Sequence, residues 1–213
     1  MTDLSIDSFF ATPIASAGLG NRVLLGELKD AIWMLEDGDE AGARWCAENG
    51  YDGYTSYASL DDLPRRASAF ADLERVLEQM VAAFAERLHW DLSAHKLRLD
   101  SLWVNILGEG GSHSGHIHPG SVISGTVYID MPEGAGALKF EDPRLAMMQA
   151  APPMQDNTPE AARRFIYRAP EPGTVLLWES WLRHEVMANK SDEPRLSISF
   201  NYGLVPLQDK PHA

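Results

Sequence analysis

The sequence predicts a mainly β fold, a sandwich or barrel, with N-terminal helices packed on one side of it. Before Trp90 the apolar residues recur at a helical period of about 3.6, and after it they alternate at the period of 2 typical of strands. Helices followed by many short strands are typical of a β core with a helical support. We expect one domain, 1–213, with the helical support in 1–90 and the β core in 91–208.

Two amphipathic helices are predicted in the first third of the chain. Asn21 can cap the first, Gly38 can end it, and its apolar stripe is Leu24, Leu28, Ile32 and Leu35. The stripe of the second is Phe70, Leu73, Leu77, Met80, Phe84 and Leu88. Both stripes are expected to face the core. The stretch between them, ENGYDGYTSYASLDDLP, is rich in Gly, Asp and Ser and is expected to be a loop.

Five later stretches have strand-like alternation or short apolar runs: LRLDSLWVNILG, SVISGTVYID, GALKFED, GTVLLWES and LSISFNYGLV. In the first, alternation predicts one shared face, which comprises Leu97, Leu99, Ser101, Trp103, Asn105 and Leu107. In the second, Ser124, Thr126 and Tyr128 are expected to face away from Ile123, Val127 and Ile129. Between the third and fourth, residues 143–171 are long, irregular and rich in Pro and Met, so they form either a lid or a surface excursion.

The last strand carries polar side chains on one face and apolar side chains on the other. The polar face comprises Arg195, Ser197, Ser199 and Asn201, and the apolar face comprises Leu196, Ile198 and Phe200. A solvated strand face is usually charged and irregular, whereas this one holds a single charge among small hydroxyl and amide groups. We therefore interpret it as the lining of a polar pocket.

Composition narrows the class of protein. The net charge is −13, with 31 acidic residues and no dense basic run, which disfavours a nucleic-acid partner. The N-terminus has no basic region typical of a signal peptide, and no apolar run reaches the roughly 20 residues of a membrane span. The single cysteine, Cys46, excludes an intrachain disulfide and is expected to be a buried thiol. The cytoplasm is the expected location.

Three histidines predict a metal site. His116 and His118 are two residues apart in SHSGHIHPG, so on a strand both imidazoles would point to one face. Two neutral imidazole nitrogens form half of a transition-metal site, and His184, after an apolar strand, is the best candidate for a third ligand. The same pair would also fit an ordinary Gly-rich surface loop. His89, His95 and His212 belong to no such cluster and are assigned no role.

Arg195 and Ser197 lie on the same face of the last strand. A guanidinium and a hydroxyl together suit a carboxylate, since they supply several hydrogen bonds, most of them charge-assisted. A buried arginine needs an anionic partner. That partner is either one of the chain's own acids or the carboxylate of a ligand.

The stretches WVNILGEGGSHSGHIHPGSVISGTVYID, GALKFEDPR and PGTVLLWESWLRHEVMANKSDEPRLSISFNYG together resemble the Fe(II)/2-oxoglutarate-dependent dioxygenase superfamily. The distinctive part is the combination of His-x-His, a distal His, and Arg-x-Ser eleven residues further on. The resemblance implies a double-stranded β-helix, or jelly roll, with helices on one side. It implies Fe(II) as the metal and 2-oxoglutarate as co-substrate, whose decarboxylation drives oxidation, such as hydroxylation, of a further substrate.

By this resemblance His116 and His184 would be two iron ligands, and Arg195 and Ser197 would bind the far carboxylate of 2-oxoglutarate. Tyr128 and Asn105 would line the same pocket, with Asn201 as a further candidate. His118 stands where most of the superfamily has Asp or Glu. The third ligand is therefore His118 or an acid after the third strand, Glu141 or Asp142; we favour His118.

Two other functions fit the same residues. A cupin-like metalloenzyme with three histidine ligands would not use 2-oxoglutarate, and a non-enzymatic jelly-roll module would bind a ligand without chemistry. For the oxygenase, the expected substrate is a small molecule or a peptide side chain. An exposed edge strand could support a homodimer.

Overall fold

The computed structural model describes residues 4–207; His212, to which the sequence assigns no role, lies outside them. The helices are α1 Arg22–Gly38, α2 Glu40–Glu48, α3 Leu63–Arg66 and α4 Ser68–Arg87. The first five strands are β1 Ile14–Gly18, β2 Gly53–Thr55, β3 His95–Leu107, β4 His113–His116 and β5 Ile123–Asp130. The remaining strands are β6 Leu138–Glu141, β7 Phe165–Arg168, β8 Thr174–Glu179, β9 His184–Val186 and β10 Arg195–Pro206.

The strands form two antiparallel sheets. The large sheet has the order β1-β8-β5-β10-β3-β2, and the small sheet has the order β4-β9-β6-β7. Residues of both sheets, including Tyr128, Trp178, Phe140 and Val186, belong to one buried cluster, so the sheets pack face to face. This is the jelly-roll architecture expected from the sequence.

The helices cover the other face of the large sheet. Leu28 and Ile32 of α1 and Leu73 and Leu77 of α4 are fully buried in a second cluster. The large sheet contributes its outward apolar side chains to that cluster, among them Leu102, Val104, Ile106, Val127, Ile198 and Phe200. Both predicted apolar stripes are thus confirmed as core-facing. Asn21 is confirmed as the cap of α1, since its side chain accepts hydrogen bonds from the backbone N–H groups of Val23 and Leu24.

Strand β10 lies between β3 and β5 and separates the two clusters. Leu196, Ile198 and Phe200 face the helices, whereas Arg195, Ser197 and Asn201 are buried on the side of the small sheet. The polar face of this strand therefore lines an interior space, as predicted. The alternation predicted for β5 is also confirmed, with Ile123, Val127 and Ile129 in the helix-facing cluster and Tyr128 on the other side.

The division of the chain at residue 90 does not separate helices from sheet. Strands β1 and β2 come from the first 90 residues and form the two edges of the large sheet. The loop prediction was wrong at Gly53–Thr55, which pairs with β3. Gly53 adopts a φ of +132°, and a Cβ there would collide with the Ile106 carbonyl. A strand of three residues that begins at such a glycine has too little alternation to be recognised.

The face predicted for β3 was wrong at its first half. Leu97 and Leu99 pack against the helix-facing cluster, whereas Ser101 and Asn105 bond to side chains on the inner face of β10. The cause is a bulge: Asn201 pairs with Ser101, but Tyr202 pairs with Leu99, so one residue of β3 has no partner. One extra residue reverses the alternation, and no pattern in the sequence announces it.

Segment 143–171 contains two short 3-10 helices, Leu145–Met147 and Glu160–Ala162, and the strand β7, which pairs with β6. An open cavity of about 620 Å³ is bordered by Met148, Pro152, Pro153, Met154 and Pro159 of this segment. Its role as a lid stays a prediction. None of the helices within residues 4–207 is both long and apolar enough to cross a bilayer.

We predict that Gly125→Ala destabilises the protein by about 1–3 kcal/mol, a usual effect of overpacking. A methyl group at this position of β5 would meet the Phe200 ring and lie 2.6 Å from the Leu176 carbonyl oxygen. The control is Gly203→Ala in β10, where a methyl group meets nothing within 4 Å. Guanidinium denaturation should show an unchanged or slightly higher stability for the control. Equal stability of the two variants would contradict this account of the packing.

Candidate active site

The pairing of β4 with β9 brings two of the predicted ligands together. His116 is the last residue of β4, His184 is the first of β9, and the two are register partners. His118 lies two residues beyond β4, where its backbone N–H donates to the Ser180 carbonyl at 3.0 Å. Each of the three imidazoles offers a ligand atom within 4.8 Å of those of the other two. Within residues 4–207, this is the one group of three or more His, Cys, Asp or Glu side chains whose ligand atoms lie close enough together to hold a metal ion.

Two of the three imidazoles are oriented by backbone carbonyls. His116 Nδ1 lies 2.6 Å from the Ser114 oxygen, and His184 Nδ1 lies 2.9 Å from the Leu182 oxygen. Because a carbonyl only accepts, both Nδ1 atoms carry the hydrogen and both Nε2 atoms present a lone pair. His118 has its Nε2 3.3 Å from the Nε2 of His184 and its Nδ1 3.4 Å from the Asn201 side-chain nitrogen.

Burial keeps the imidazoles of His118 and His184 neutral. Desolvation, together with the nearby His116, lowers the pKa of His118 to about 4. Desolvation also lowers the pKa of His184 to about 3, against the hydrogen bond to Leu182, which raises it. Neutral imidazole is the form that binds metal, so at neutral pH these two groups need not lose a proton before binding.

Aromatic side chains wall the histidine cluster. The centroid of the Trp178 ring lies 4.8 Å from that of His184, and the centroid of Phe140 lies 6.3 Å from it. The centroid of the Trp103 ring lies 6.0 Å from that of His118. Trp103 also contacts Tyr57, which is 62% exposed. The cluster is therefore dry on its inner side and borders solvent near Tyr57.

The alternative acidic ligands are engaged elsewhere. Glu141 lies 3.5 Å from the guanidinium of Arg183, and Asp142 forms a bidentate contact with Arg144, 2.7 Å at the shorter bond. Neither acid joins the group of potential ligand atoms around His116. The geometry therefore favours His118 over both acids.

Arg195 is fully buried on the inner face of β10. Its guanidinium donates to the Ser197 hydroxyl at 3.1 Å and lies 5.3 Å from the centroid of the Tyr128 ring. Within residues 4–207, no carboxylate forms an ion pair with it. Burial lowers the pKa of Arg195, as expected for a charge that has lost its water without gaining an anion.

Buried hydrogen-bond donors without partners accompany this charge. Arg195 Nε, the Tyr128 hydroxyl and Trp178 Nε1 are all buried and unpaired. Tyr128 and Trp178 belong to the cluster between the sheets, and burial raises the pKa of Tyr128 to about 12, so its hydroxyl keeps its hydrogen. A set of unpaired donors around a guanidinium suits a ligand rich in acceptors, and a dicarboxylate fits that description.

Asn105 is hydrogen-bonded within the protein through both its side-chain oxygen and its side-chain nitrogen. Its carbonyl oxygen accepts from Thr55 at 3.0 Å and from Tyr51 at 3.2 Å, and its amide nitrogen donates to Ser199 at 3.2 Å. Asn105 thus lies against the inner face of β10, and its oxygen and one amide hydrogen already hold neighbouring side chains. Its part in binding a co-substrate stays a prediction.

Tyr51 and His113 are site residues that the sequence analysis missed. The Tyr51 hydroxyl lies 2.8 Å from His113 Nε2. The charge of Arg195 acts to lower the pKa of both groups. Desolvation lowers the pKa of His113 to about 4. Its position three residues before His116 was the one available signal. Tyr51 lies in the predicted loop and offered none.

Comparison with known proteins matches this region to a family. Residues 101–201 match the family described as "Putative 2OG-Fe(II) oxygenase". Among curated proteins, none matches the sequence.

Three solved structures illustrate the similarity of fold. The epimerase SnoN, solved with Fe3+, alpha ketoglutarate and nogalamycin RO, is 19% identical with a TM-score of 0.61, over 91% of this chain and 79% of its own. HygX from Streptomyces hygroscopicus, solved with nickel and 2-oxoglutarate, is 14% identical with a TM-score of 0.58, over 91% and 82%. A Pseudomonas putida prolyl-4-hydroxylase is 14% identical with a TM-score of 0.54, over 90% and 92%.

The family match and the candidate site coincide, because the matched residues include all three histidines and Arg195. The fold and the site together define a class, the jelly-roll iron oxygenases. Within that class the chain is similar to the 2OG-Fe(II) oxygenases, whose family it matches over residues 101–201, just under half of its length.

We predict that the stability of chelator-treated protein falls as the pH is lowered from about 6.5 to about 4. In the folded protein the pKa is about 4 for His113, about 4 for His118 and about 3 for His184. In the unfolded chain they bind protons near 6.5, so acid favours the unfolded state across that window.

Guanidinium denaturation at a series of pH values measures this slope, and His113→Gln combined with His184→Gln should flatten it. A buried carboxylate, Asp39, also makes the stability depend on pH. Although burial opposes it, hydrogen bonds from Ser59, Gly42 and Tyr54 lower the pKa of Asp39. The stability that this carboxylate contributes is therefore lost only below about pH 3.8, under the range in which the histidines act. An unchanged slope in the double variant would show that these histidines are not the cause.

Proposed function

We propose that His116, His118 and His184 bind the iron of this oxygenase and that Arg195 binds the far carboxylate of 2-oxoglutarate. The observation that carries the proposal is a buried, unneutralised guanidinium in the same space between the sheets as three converging imidazoles. Leaving one charge buried without a partner is expensive, by several kcal/mol. A bound dicarboxylate would supply the missing charge.

The donor set suits a divalent transition metal. Three neutral imidazoles bind Fe(II), and they would also bind Co(II), Ni(II) or Zn(II). They leave the charge of +2 uncompensated, which an anionic co-substrate would offset. Fixing two Nδ1 atoms through carbonyls keeps the rings of His116 and His184 in place before any ion arrives.

The residues of the chain would bind and orient the iron and 2-oxoglutarate and would exclude water. When bound, iron and 2-oxoglutarate would use dioxygen for the oxidation, with succinate and carbon dioxide as products. Arg195 and Ser197 would hold one end of the co-substrate, and Tyr128 would donate its free hydroxyl hydrogen to it. Trp178 and Phe140 keep water from the inner side of the metal centre.

We predict that Arg195→Met strongly weakens 2-oxoglutarate binding without destabilising the protein. Removing the buried charge removes an uncompensated desolvation penalty, so the melting temperature should stay the same or rise. Calorimetry on Ni(II)-loaded protein should show an affinity loss of at least about 30-fold, in line with the loss of a buried charge partner. Uncoupled succinate formation with Fe(II) and oxygen should disappear as well.

The control for this experiment is Arg168→Met, because Arg168 pairs with Glu160 on the surface. It should change neither the melting temperature nor the affinity appreciably. Binding of 2-oxoglutarate by Arg195→Met at the wild-type affinity would reject the assignment of Arg195. No binding by the wild-type protein would favour a three-histidine enzyme that does not use this co-substrate.

We predict that His118→Ala weakens metal binding, whereas His118→Asp retains it, because a carboxylate restores the two-histidine, one-carboxylate set. The competing ligands are tested by Glu141→Gln and Asp142→Asn, which should bind the metal as the wild type does. Titration with Co(II), followed by its absorption bands, reports both affinity and coordination. A loss of metal binding in either acid variant together with retention in His118→Ala would reverse the assignment.

We also propose that the enzyme acts in the cytoplasm on a small molecule or a peptide side chain, not on nucleic acid. The net charge of −13 and a lone, buried Cys46 support this proposal. The two sheets have four edge strands, and pairing of an exposed edge with that of a second copy would form a homodimer. Sedimentation of the purified protein measures its oligomeric state.

A further inference from the structure

His118 differs from the other two histidines in the group that faces its Nδ1. For His116 and His184 that group is a backbone carbonyl, which can only accept. For His118 it is the side-chain amide of Asn201, at 3.4 Å. An amide presents either a donor or an acceptor, depending on which way it is turned, so it can favour either tautomer of the imidazole.

The present hydrogen bonds of the amide favour one tautomer. The Asn201 oxygen accepts from the Ser124 hydroxyl at 2.7 Å, and its nitrogen donates to the Ser101 hydroxyl at 3.1 Å and faces His118. A donor opposite Nδ1 stabilises the tautomer in which Nδ1 is bare and Nε2 carries the hydrogen. In that tautomer, Nε2 points its hydrogen at His184 Nε2, 3.3 Å away, and has no lone pair for a metal.

Turning the amide over reverses this preference without leaving a polar group unpaired. The oxygen then accepts the hydrogen of His118 Nδ1, and the nitrogen donates to the Ser124 hydroxyl. Ser124 in turn donates to Ser180 at 2.8 Å, a contact in which either oxygen can be the donor. The Ser101 hydroxyl rotates to donate to the amide oxygen. Because hydroxyl hydrogens rotate freely, the chain of hydrogen bonds adapts as a unit.

We propose that Asn201 is a positioning residue that selects the metal-binding tautomer of His118 through the orientation of its amide. The inference rests on the proposed function, in which His118 is a ligand. One proton leaves Nε2 and one is taken up at Nδ1, so the charge of the ring does not change. His116 and His184 are ready for metal as they stand, whereas His118 becomes a ligand only when the Asn201 oxygen faces it.

The chemistry of position 118 explains why such a residue is needed. A carboxylate ligand presents lone pairs on both oxygens and has no tautomers to choose between. An imidazole at the same place requires an acceptor behind it, and here no backbone carbonyl takes that role. The buried hydroxyl and amide groups of Ser124, Ser180 and Asn201 supply an adjustable one.

The test compares two variants that differ in what they present to Nδ1. Asn201→Leu removes the acceptor and should weaken Ni(II) or Co(II) binding by about 10–100-fold, the usual effect of losing such a partner. Asn201→Asp has nearly the same shape and can only accept, so it should bind the metal as tightly as the wild type or more tightly. Calorimetry without 2-oxoglutarate measures both affinities.

Nitrogen NMR of the imidazoles in the metal-free protein gives a second readout that a purely structural role would not produce. The His118 Nδ1 should be bare in the wild type, where the amide nitrogen faces it, and should carry the hydrogen in Asn201→Asp. The same tautomer in both proteins would overturn the inference, even if Asn201→Leu failed to fold.

Asn189→Leu is the matched control. Asn189 is also a buried amide, but it donates to the carbonyls of Leu107 and Glu193 and does not contact the histidines. This variant should lose stability and keep the wild-type metal affinity. If Asn201→Leu is folded and binds as the wild type does, or if Asn201→Asp binds as weakly as Asn201→Leu, Asn201 does not select the tautomer. If the wild type itself binds no metal, the proposed metal centre fails instead.

Discussion

The buried charge of Arg195 is the constraint around which the inner space is organised. A guanidinium there must be surrounded by groups that tolerate it, and the protein provides one hydroxyl, one aromatic face and no carboxylate among residues 4–207. Folding alone would be better served by an apolar side chain. In the proposed function a ligand neutralises this charge, and the nearby histidine cluster supplies the metal centre that the ligand joins. Arg195 therefore lowers the stability of the fold, while in the proposed function it binds the co-substrate.

Much of this arrangement was predictable from the sequence because alternation is a direct consequence of strand geometry. Spacing predicts the two faces of β10 and β5 and the apolar stripes of α1 and α4. Spacing also led us to expect the convergence of the three histidines, His116, His118 and His184. The expected reason for the last was only partly right. His118 lies beyond β4, and its position is fixed by a backbone hydrogen bond to Ser180 in place of strand pairing.

What could not be predicted depends on contacts between distant segments. The bulge opposite Asn201 reverses the first half of β3, and the short edge strands β1 and β2 acquire their structure from the neighbours they pair with. Tyr51 reaches the site because β2 places the preceding loop beside Asn105. Such positions carry little local signal, since their conformation is decided by tertiary packing.

The alternation along β10 has a consequence for how such an enzyme can diversify. Odd-numbered positions from 195 to 201 face the inner space between the sheets, and even-numbered positions from 196 to 202 face the helices. Substitutions at the first set alter what the pocket accepts and leave the hydrophobic contacts of the second set in place. A single central strand thus lets selection vary the chemistry of the enzyme while the scaffold that supports it is inherited unchanged.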